Sequence, residues 1–174
     1  MALPIIHHPA YVAETPEGHR FPMAKFGAVA ARVHALGLTG PAGFEVPEEA
    51  PDAWLTLAHT PAYVESITTL TLDPKAVRRL GLPLNATVAR RARLATGGTI
   101  LAARRALDTG LACNTAGGSH HADAGGGAGF CVFNDVAVAA RVLLAEARVR
   151  RILVIDCDVH HGDGTARLFD GDDR

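Results

Sequence analysis

Cysteine is scarce in this 174-residue chain, and long apolar runs are missing altogether. The three cysteines, Cys113, Cys131 and Cys157, are odd in number and widely spaced, which argues against a disulfide framework. Each sits in an apolar stretch, so all three read as reduced core thiols of a cytosolic protein. No segment approaches the ~20 apolar residues of a bilayer-spanning helix. The opening Met1-Ala2-Leu3-Pro4-Ile5-Ile6-His7-His8 also lacks the basic start and apolar core of a signal peptide. Excess charge is absent too: 17 Lys and Arg stand against 18 Asp and Glu, a net charge of -1. That balance gives no global electrostatic case for nucleic acid or an acidic membrane surface, so any partner is recognised locally. No internal repeat or low-complexity tail is present. Gly125-Gly126-Gly127 is followed by no Lys-Ser/Thr pair, which excludes a phosphate loop. The expectation is a soluble cytoplasmic protein that neither binds nucleic acid directly nor enters a membrane.

What is present is ample apolar content, 48% of residues, enough for the core of one domain. Ile5-Ile6 opens as a short strand. Pro22 suits the first turn of a helix over 22–35, stopped by Gly37. Residues 54–58 have strand character, and Thr60-Pro61 then supply an N-cap and a first-turn proline for a helix carrying Tyr63, Val64 and Ile67. The stretch 71–84 is mixed and gives no clear element. Residues 85–107 are helix formers interrupted by Gly97-Gly98, which predicts two abutting helices unless close packing demands the glycines. The arginines there, Arg90, Arg91, Arg93, Arg104 and Arg105, read as a solvated helix face. Residues 111–114 look like a short buried strand, and 134–147 like a helix.

The chemistry gathers after Ile152-Leu153-Val154-Ile155, an uncharged β-branched run of the kind buried on both faces of a parallel sheet. The run breaks into Asp156-Cys157-Asp158-Val159-His160-His161-Gly162-Asp163-Gly164. In extended backbone Asp156, Asp158 and His160 share one side, and such a group is costly unless a cation or shared protons compensate. Carboxylate and imidazole donors without a thiolate suit zinc or another divalent transition metal. A second stretch, Gly117-Gly118-Ser119-His120-His121-Ala122-Asp123, places adjacent histidines among glycines, good loop residues and poor core ones. Strand, loop, helix and strand in this order make a βαβ unit with its site at the carboxyl ends of the strands. With the strands adjacent, each histidine has a carboxylate to fix its tautomer.

These residues resemble the histone deacetylase family of zinc amidohydrolases. The likeness lies in Gly117-Gly118-Ser119-His120-His121-Ala122, in Gly129-Phe130-Cys131 with Asn134-Asp135, and in the 156–164 motif. It extends to His59-Thr60-Pro61-Ala62-Tyr63-Val64 and Thr96-Gly97-Gly98-Thr99, while Gly18-His19-Arg20-Phe21-Pro22-Met23 looks more like the bacterial and class IV branch. The resemblance implies an α/β fold, a parallel sheet flanked by helices of arginase/deacetylase type. It implies that Asp158 and His160 bind the metal, zinc or iron, and that His120 and His121 are the tandem catalytic histidines partnered by Asp156 and Asp163. Of the two, His121 is the expected general base. Gly129 and Phe130 would line a narrow tunnel for an acyl-lysine side chain, and a potassium ion is expected near the backbone of 156–160. The substrate implied is an acetyl-lysine protein or a small acylated amine such as an acetylated polyamine.

The family's third metal ligand, an aspartate, and its carbonyl-polarising tyrosine lie further downstream than residue 174. Residues 1–174 therefore read as the N-terminal portion of a single deacetylase domain, with the C-terminal part of the fold missing. Tyr11 and Tyr63 precede the motifs and do not take the missing role. Two other readings stand beside the deacetylase: a non-catalytic remnant with weak or no metal binding, and, ranked lower, an arginase-like two-metal hydrolase. Gly162 interrupts the aspartate-rich spacing the last would want. His19 is the outlying histidine whose loop could reach the site.

Overall fold

The computed structural model describes residues 3–174. Its organising element is one long helix, α5 (Ala86–Thr109), which spans the stretch where two helices were expected. Asn85 caps it by accepting the Val88 N–H at 2.8 Å, and Gly110 ends it in the left-handed conformation, φ 87°. The glycine pair leaves the helix unbroken because other chain segments lie against it. A Cβ on Gly97 would collide with the Glu48 carbonyl, and one on Gly98 with the Tyr11 hydroxyl. Close approach offsets the intrinsic cost of glycine in a helix, about 1 kcal/mol per residue.

Strand β1 (Ile5–Ile6) pairs in parallel with β2 (Cys113–Asn114), Ile5 opposite Cys113 and Ile6 opposite Asn114. On the other edge of β1, Ile6 forms a parallel bridge with Glu45. The strands lie against α5, with Asn114 Nδ2 donating to the Ala95 carbonyl at 3.2 Å. Helix α1 (Lys25–Ala35) begins three residues after Pro22. Short α2 (Asp52–Leu55) replaces the strand expected at 54–58, and Thr56 Oγ1 donates back to the Asp52 carbonyl at 2.8 Å. Asp52 in the first turn suits the helix dipole and Pro51 stands at the N-cap, so helix-start residues override the apolar pattern although no side chain caps this turn. Helix α3 (Pro61–Thr68) has the expected Thr60 cap, and α4 (Pro74–Leu80), capped by Asp73 and Gly81, fills the stretch left without an element.

Helix α6 (Asp135–Ala145) packs along α5, and α7 (Asp163–Leu168) closes the described chain. Small residues at the α5–α6 contact, among them Ala95 and Ala137, let larger ones interdigitate: Ile100, Val88, Val138 and Val142 are all buried. Each such side chain contributes roughly 1.5–3 kcal/mol by leaving water.

Three expectations are corrected. The run Ile152-Leu153-Val154-Ile155 forms no ladder: Leu153 and Ile155 are 83% and 77% exposed. A strand needs a neighbouring edge, and the only backbone bond of this run is Ile152 N–H to the Arg174 carbonyl at 2.5 Å. β2 is a strand but not a buried one, so Cys113 is exposed; Cys157, beside the unpaired run, is exposed as well, and only Cys131 is a core thiol. Arg91, assigned to a solvated face, is buried. No helix among the described residues is long and apolar enough to cross a membrane.

Candidate active site

The histidine loop leaves β2 and is pinned before it reaches α6. Asp135, at the start of α6, is buried, and its carboxylate accepts the Ser119 N–H at 2.8 Å, the Gly118 N–H at 3.1 Å and the Thr99 hydroxyl at 2.5 Å. That one side chain ties helix α5, helix α6 and the loop together. Asn134 does a second part of the same work. Its carbonyl oxygen caps α6 through the Ala137 N–H, while its amide donates to the Ala122 carbonyl at 3.1 Å and to Thr165 Oγ1 at 2.9 Å. The Thr165 N–H donates to the His120 carbonyl at 3.0 Å, so α7 is strapped onto the histidine loop.

Buried His59 braces the far side of the loop. Its Nδ1 donates to the Asp123 carbonyl at 2.8 Å, and Nε2 accepts the Asn134 N–H at 3.0 Å. Burial pushes its pKa down from 6.5 to about 4, so it is a neutral structural histidine.

With the loop so held, His120 Nδ1 lies 2.6 Å from Asp156 Oδ2, and His121 Nδ1 lies 2.7 Å from Asp163 Oδ1. An ionised carboxylate only accepts, so Nδ1 carries the proton in both rings and Nε2 is left free. The hydrogen bond from His120, helped by the Asp158 N–H, holds the Asp156 carboxyl below its usual range. His121 and then Arg167, whose Nη2 is 2.8 Å from Asp163 Oδ2, bring Asp163 down to about 2. The two rings meet edge to face at 4.3 Å between centroids.

His160 joins them. Ring nitrogens of His120, His121 and His160 all lie within 4.8 Å of one another. Asp158 Oδ1 sits 2.7 Å from His160 Nδ1, 2.8 Å from the His160 backbone nitrogen and 3.9 Å from His120 Nε2. Those hydrogen bonds, the backbone one first, lower the Asp158 pKa. The position of Gly162 makes this convergence possible: its φ is 61°, and a Cβ there would lie 2.7 Å from Asp156 Oδ2. Asp158 and His160 carry oxygen and nitrogen atoms of the kind a divalent transition metal takes, and here they are hydrogen-bonded to each other through His160 Nδ1, while the ring nitrogens that cluster closely are those of His120, His121 and His160.

The rings open onto a cavity of about 380 Å³. Gly129 and Phe130 are among the residues that line it, both at positive φ, and a Cβ on Gly129 would lie 2.6 Å from His121 Cδ2. Phe130 packs against Phe21 at 5.0 Å and against His19 at 6.3 Å between centroids, so the loop of His19 does reach the cavity wall. Tyr11 and Tyr63 are buried elsewhere, bonded to Asn114 and to the Val132 carbonyl.

Sequence reasoning missed the two buried polar residues that matter most here. Asp135 was quoted only as part of a motif, and Arg91 lines the cavity instead of facing solvent. The signal for Arg91 was its register: at helical spacing it shares a face with Val88, Ala92 and Ala95, all buried.

Comparison with known proteins agrees with this architecture. A model of the histone deacetylase domain matches residues 19–174. An uncharacterized protein of Picosynechococcus sp. is 49% identical over 172 residues, 99% of this chain and 57% of that protein. Histone deacetylase 5 of Arabidopsis thaliana is 37% identical over 139 residues, 72% of this chain and 21% of its own length. Among solved structures, an HDAC homolog complexed with SAHA superposes at TM-score 0.79 and 26% identity, over 97% of this chain and 48% of that one. The HDA15 HD domain superposes at TM-score 0.80 and 24% identity, over 97% of this chain and 49% of its own, which speaks for the fold alone. The chain thus has the arginase/deacetylase-like fold and spans about half of each of these structures. A domain match running from Gly18's neighbour His19 to Arg174 places the whole histidine and aspartate apparatus within it, and the chain belongs to the histone deacetylase family.

Proposed function

We propose that these residues are the proton-handling and metal-holding part of a deacylase that hydrolyses the amide of acetyl-lysine or a related acylated amine. The observation that carries this reading is the double dyad: two adjacent histidines, each with Nδ1 on its own carboxylate and Nε2 turned free. Amide hydrolysis adds the oxygen of water to the acyl carbon, breaks the C–N bond and leaves a carboxylate and an amine. One proton leaves the attacking water and one reaches the departing nitrogen. His121, less buried than His120 and held by the Asp163–Arg167 pair, takes the water's proton at Nε2 and returns it to the amine. His120, buried and paired with Asp156, stabilises charge beside it. Asp158 and His160 would hold zinc, which supplies Lewis-acid polarisation and a more acidic water. Gly129 and Phe130 form the apolar wall for the substrate's aliphatic stem.

A second reading, a chain that by itself binds metal weakly and does not turn over, is favoured by the two-donor shell and the unpaired run at 152–155. Elemental analysis of the purified chain, paired with hydrolysis of a fluorogenic acetyl-lysine peptide with and without zinc, separates the two. Near-stoichiometric zinc with turnover abolished by His121→Ala supports the deacylase. Absence of both metal and turnover in the 174-residue chain supports the second reading.

A further inference from the structure

Arg91 is 5% exposed, yet it has no carboxylate partner among the described residues. Its Nε donates to the Tyr11 carbonyl at 3.0 Å, and the guanidinium lies over the Phe26 ring at 4.4 Å. The two terminal nitrogens bond to no protein atom, and neither is sealed off, because the residue lines the same cavity as His120 and His121. The carboxylate that might have answered this charge, Asp135, is committed to Thr99, Gly118 and Ser119. Lys25, stacked over Phe21 at 4.7 Å, adds a second positive charge to the same wall. A buried cation without a counter-charge is costly, and a planar guanidinium presenting two free N–H edges is shaped for a carboxylate.

We propose that Arg91 anchors a carboxylate subsite in this cavity, so that the site accepts an acyl group ending in a carboxylate, of the malonyl or succinyl class. The proposal rests on the deacylase reading. Phe21, Phe26 and Phe130 supply apolar walls for the methylenes between the two ends of such a group. Histidines and arginine line one cavity, so the reacting carbonyl and the terminal carboxylate have different partners there. Hydrolysis then follows the same balance as for acetyl: water's oxygen joins the acyl carbon, the C–N bond breaks, and lysine amine and succinate leave.

The test uses two lysine peptides, one carrying an Nε-succinyl group and one carrying its neutral ω-amide, with binding measured by calorimetry and turnover by mass spectrometry. The expected result is that the wild-type chain binds the succinyl peptide at least about tenfold more tightly than the ω-amide. Arg91→Lys should keep part of that preference and Arg91→Met should lose it. Equal affinity of the two peptides for the wild-type chain overturns the subsite, and that comparison needs no variant that must fold. A succinyl preference that Arg91→Met retains, in a variant with wild-type circular dichroism, also overturns it. Turnover is read separately. Preferential binding without hydrolysis of succinyl- or acetyl-lysine leaves the subsite standing and removes the deacylase reading, whereas acetyl hydrolysis with equal binding does the reverse.

Discussion

His121 Nδ1 and Asp163 Oδ1 stand 2.7 Å apart, and the other oxygen of Asp163 is held by Arg167. The imidazole is therefore fixed in one tautomer and one orientation by the first residue of a separate helix, α7, with Arg167 one turn further on. If His121 is the general base, His121→Ala lowers kcat/KM for an acetyl-lysine peptide by about a hundred- to ten-thousand-fold in the active protein. Asp163→Asn acts in the same direction by less, since the ring stays and only its orienting partner changes. A His121→Ala variant with wild-type kcat/KM would remove this residue from the mechanism.

Burial of His59 makes stability depend on pH. Its pKa falls from 6.5 when unfolded to about 4 when folded, so between these values the unfolded chain binds more protons at this position than the native one. Stability from His59 is complete above pH 6.5, declines as pH falls, and is fully lost below pH 4. The shift corresponds to about 3 kcal/mol at most. Urea melts of wild type and His59→Gln at pH 7.5 and 5 should show a steeper loss in the wild type. Parallel losses would mean that His59 titrates normally in the fold.

Gly98 leaves room for a hydroxyl where a methyl would stand. Gly98→Ala drives a Cβ into Tyr11 Oη and brings it within 2.9 Å of Asn114 Nδ2. The expected cost is about 1–3 kcal/mol, read as a lower denaturant midpoint with the same slope. An unchanged midpoint would show that the strands move off α5 without penalty.

Asp135→Asn keeps the shape and spoils the acceptor. Whichever way the amide turns, its nitrogen faces a backbone N–H, of Ser119 or of Gly118, and leaves that partly buried donor without its acceptor, at about 1 kcal/mol. Hydrogen exchange should quicken at Gly118 and Ser119 more than at the α5–α6 contact. Uniform quickening would assign Asp135 to global stability alone.

The run at 152–155 presents unpaired backbone beside exposed apolar side chains. Sedimentation of the 174-residue chain should reveal concentration-dependent association, relieved by Leu153→Lys with Ile155→Lys. A monomer at all concentrations would show that the run is adequately covered by the chain itself.

Much of this was legible in the residue order. Thr60-Pro61 starts a helix as expected, because a cap and a fixed φ act within four residues. The motifs at 117–123 and 156–164 announce a site, because so many donors in so short a span have no bland use. The strand expected at 54–58 failed for a local reason too: Pro51 and a first-turn Asp52 favour a helix start just before it. The reading of Arg91 as solvated came from counting charges and not from its place among Val88, Ala92 and Ala95.

By itself the sequence determined the family's motifs, the helix caps and the identity of the donors, since these depend on neighbours a few residues apart. Only the tertiary structure decided that Gly97 and Gly98 lie within one helix, that Asp135 pins the histidine loop, that Arg91 turns inward, and that Ile152-Leu153-Val154-Ile155 finds no sheet to join. Each of those outcomes depends on what lies across space, and a strand, a buried charge or a bare glycine acquires its energy only from the partner that is there.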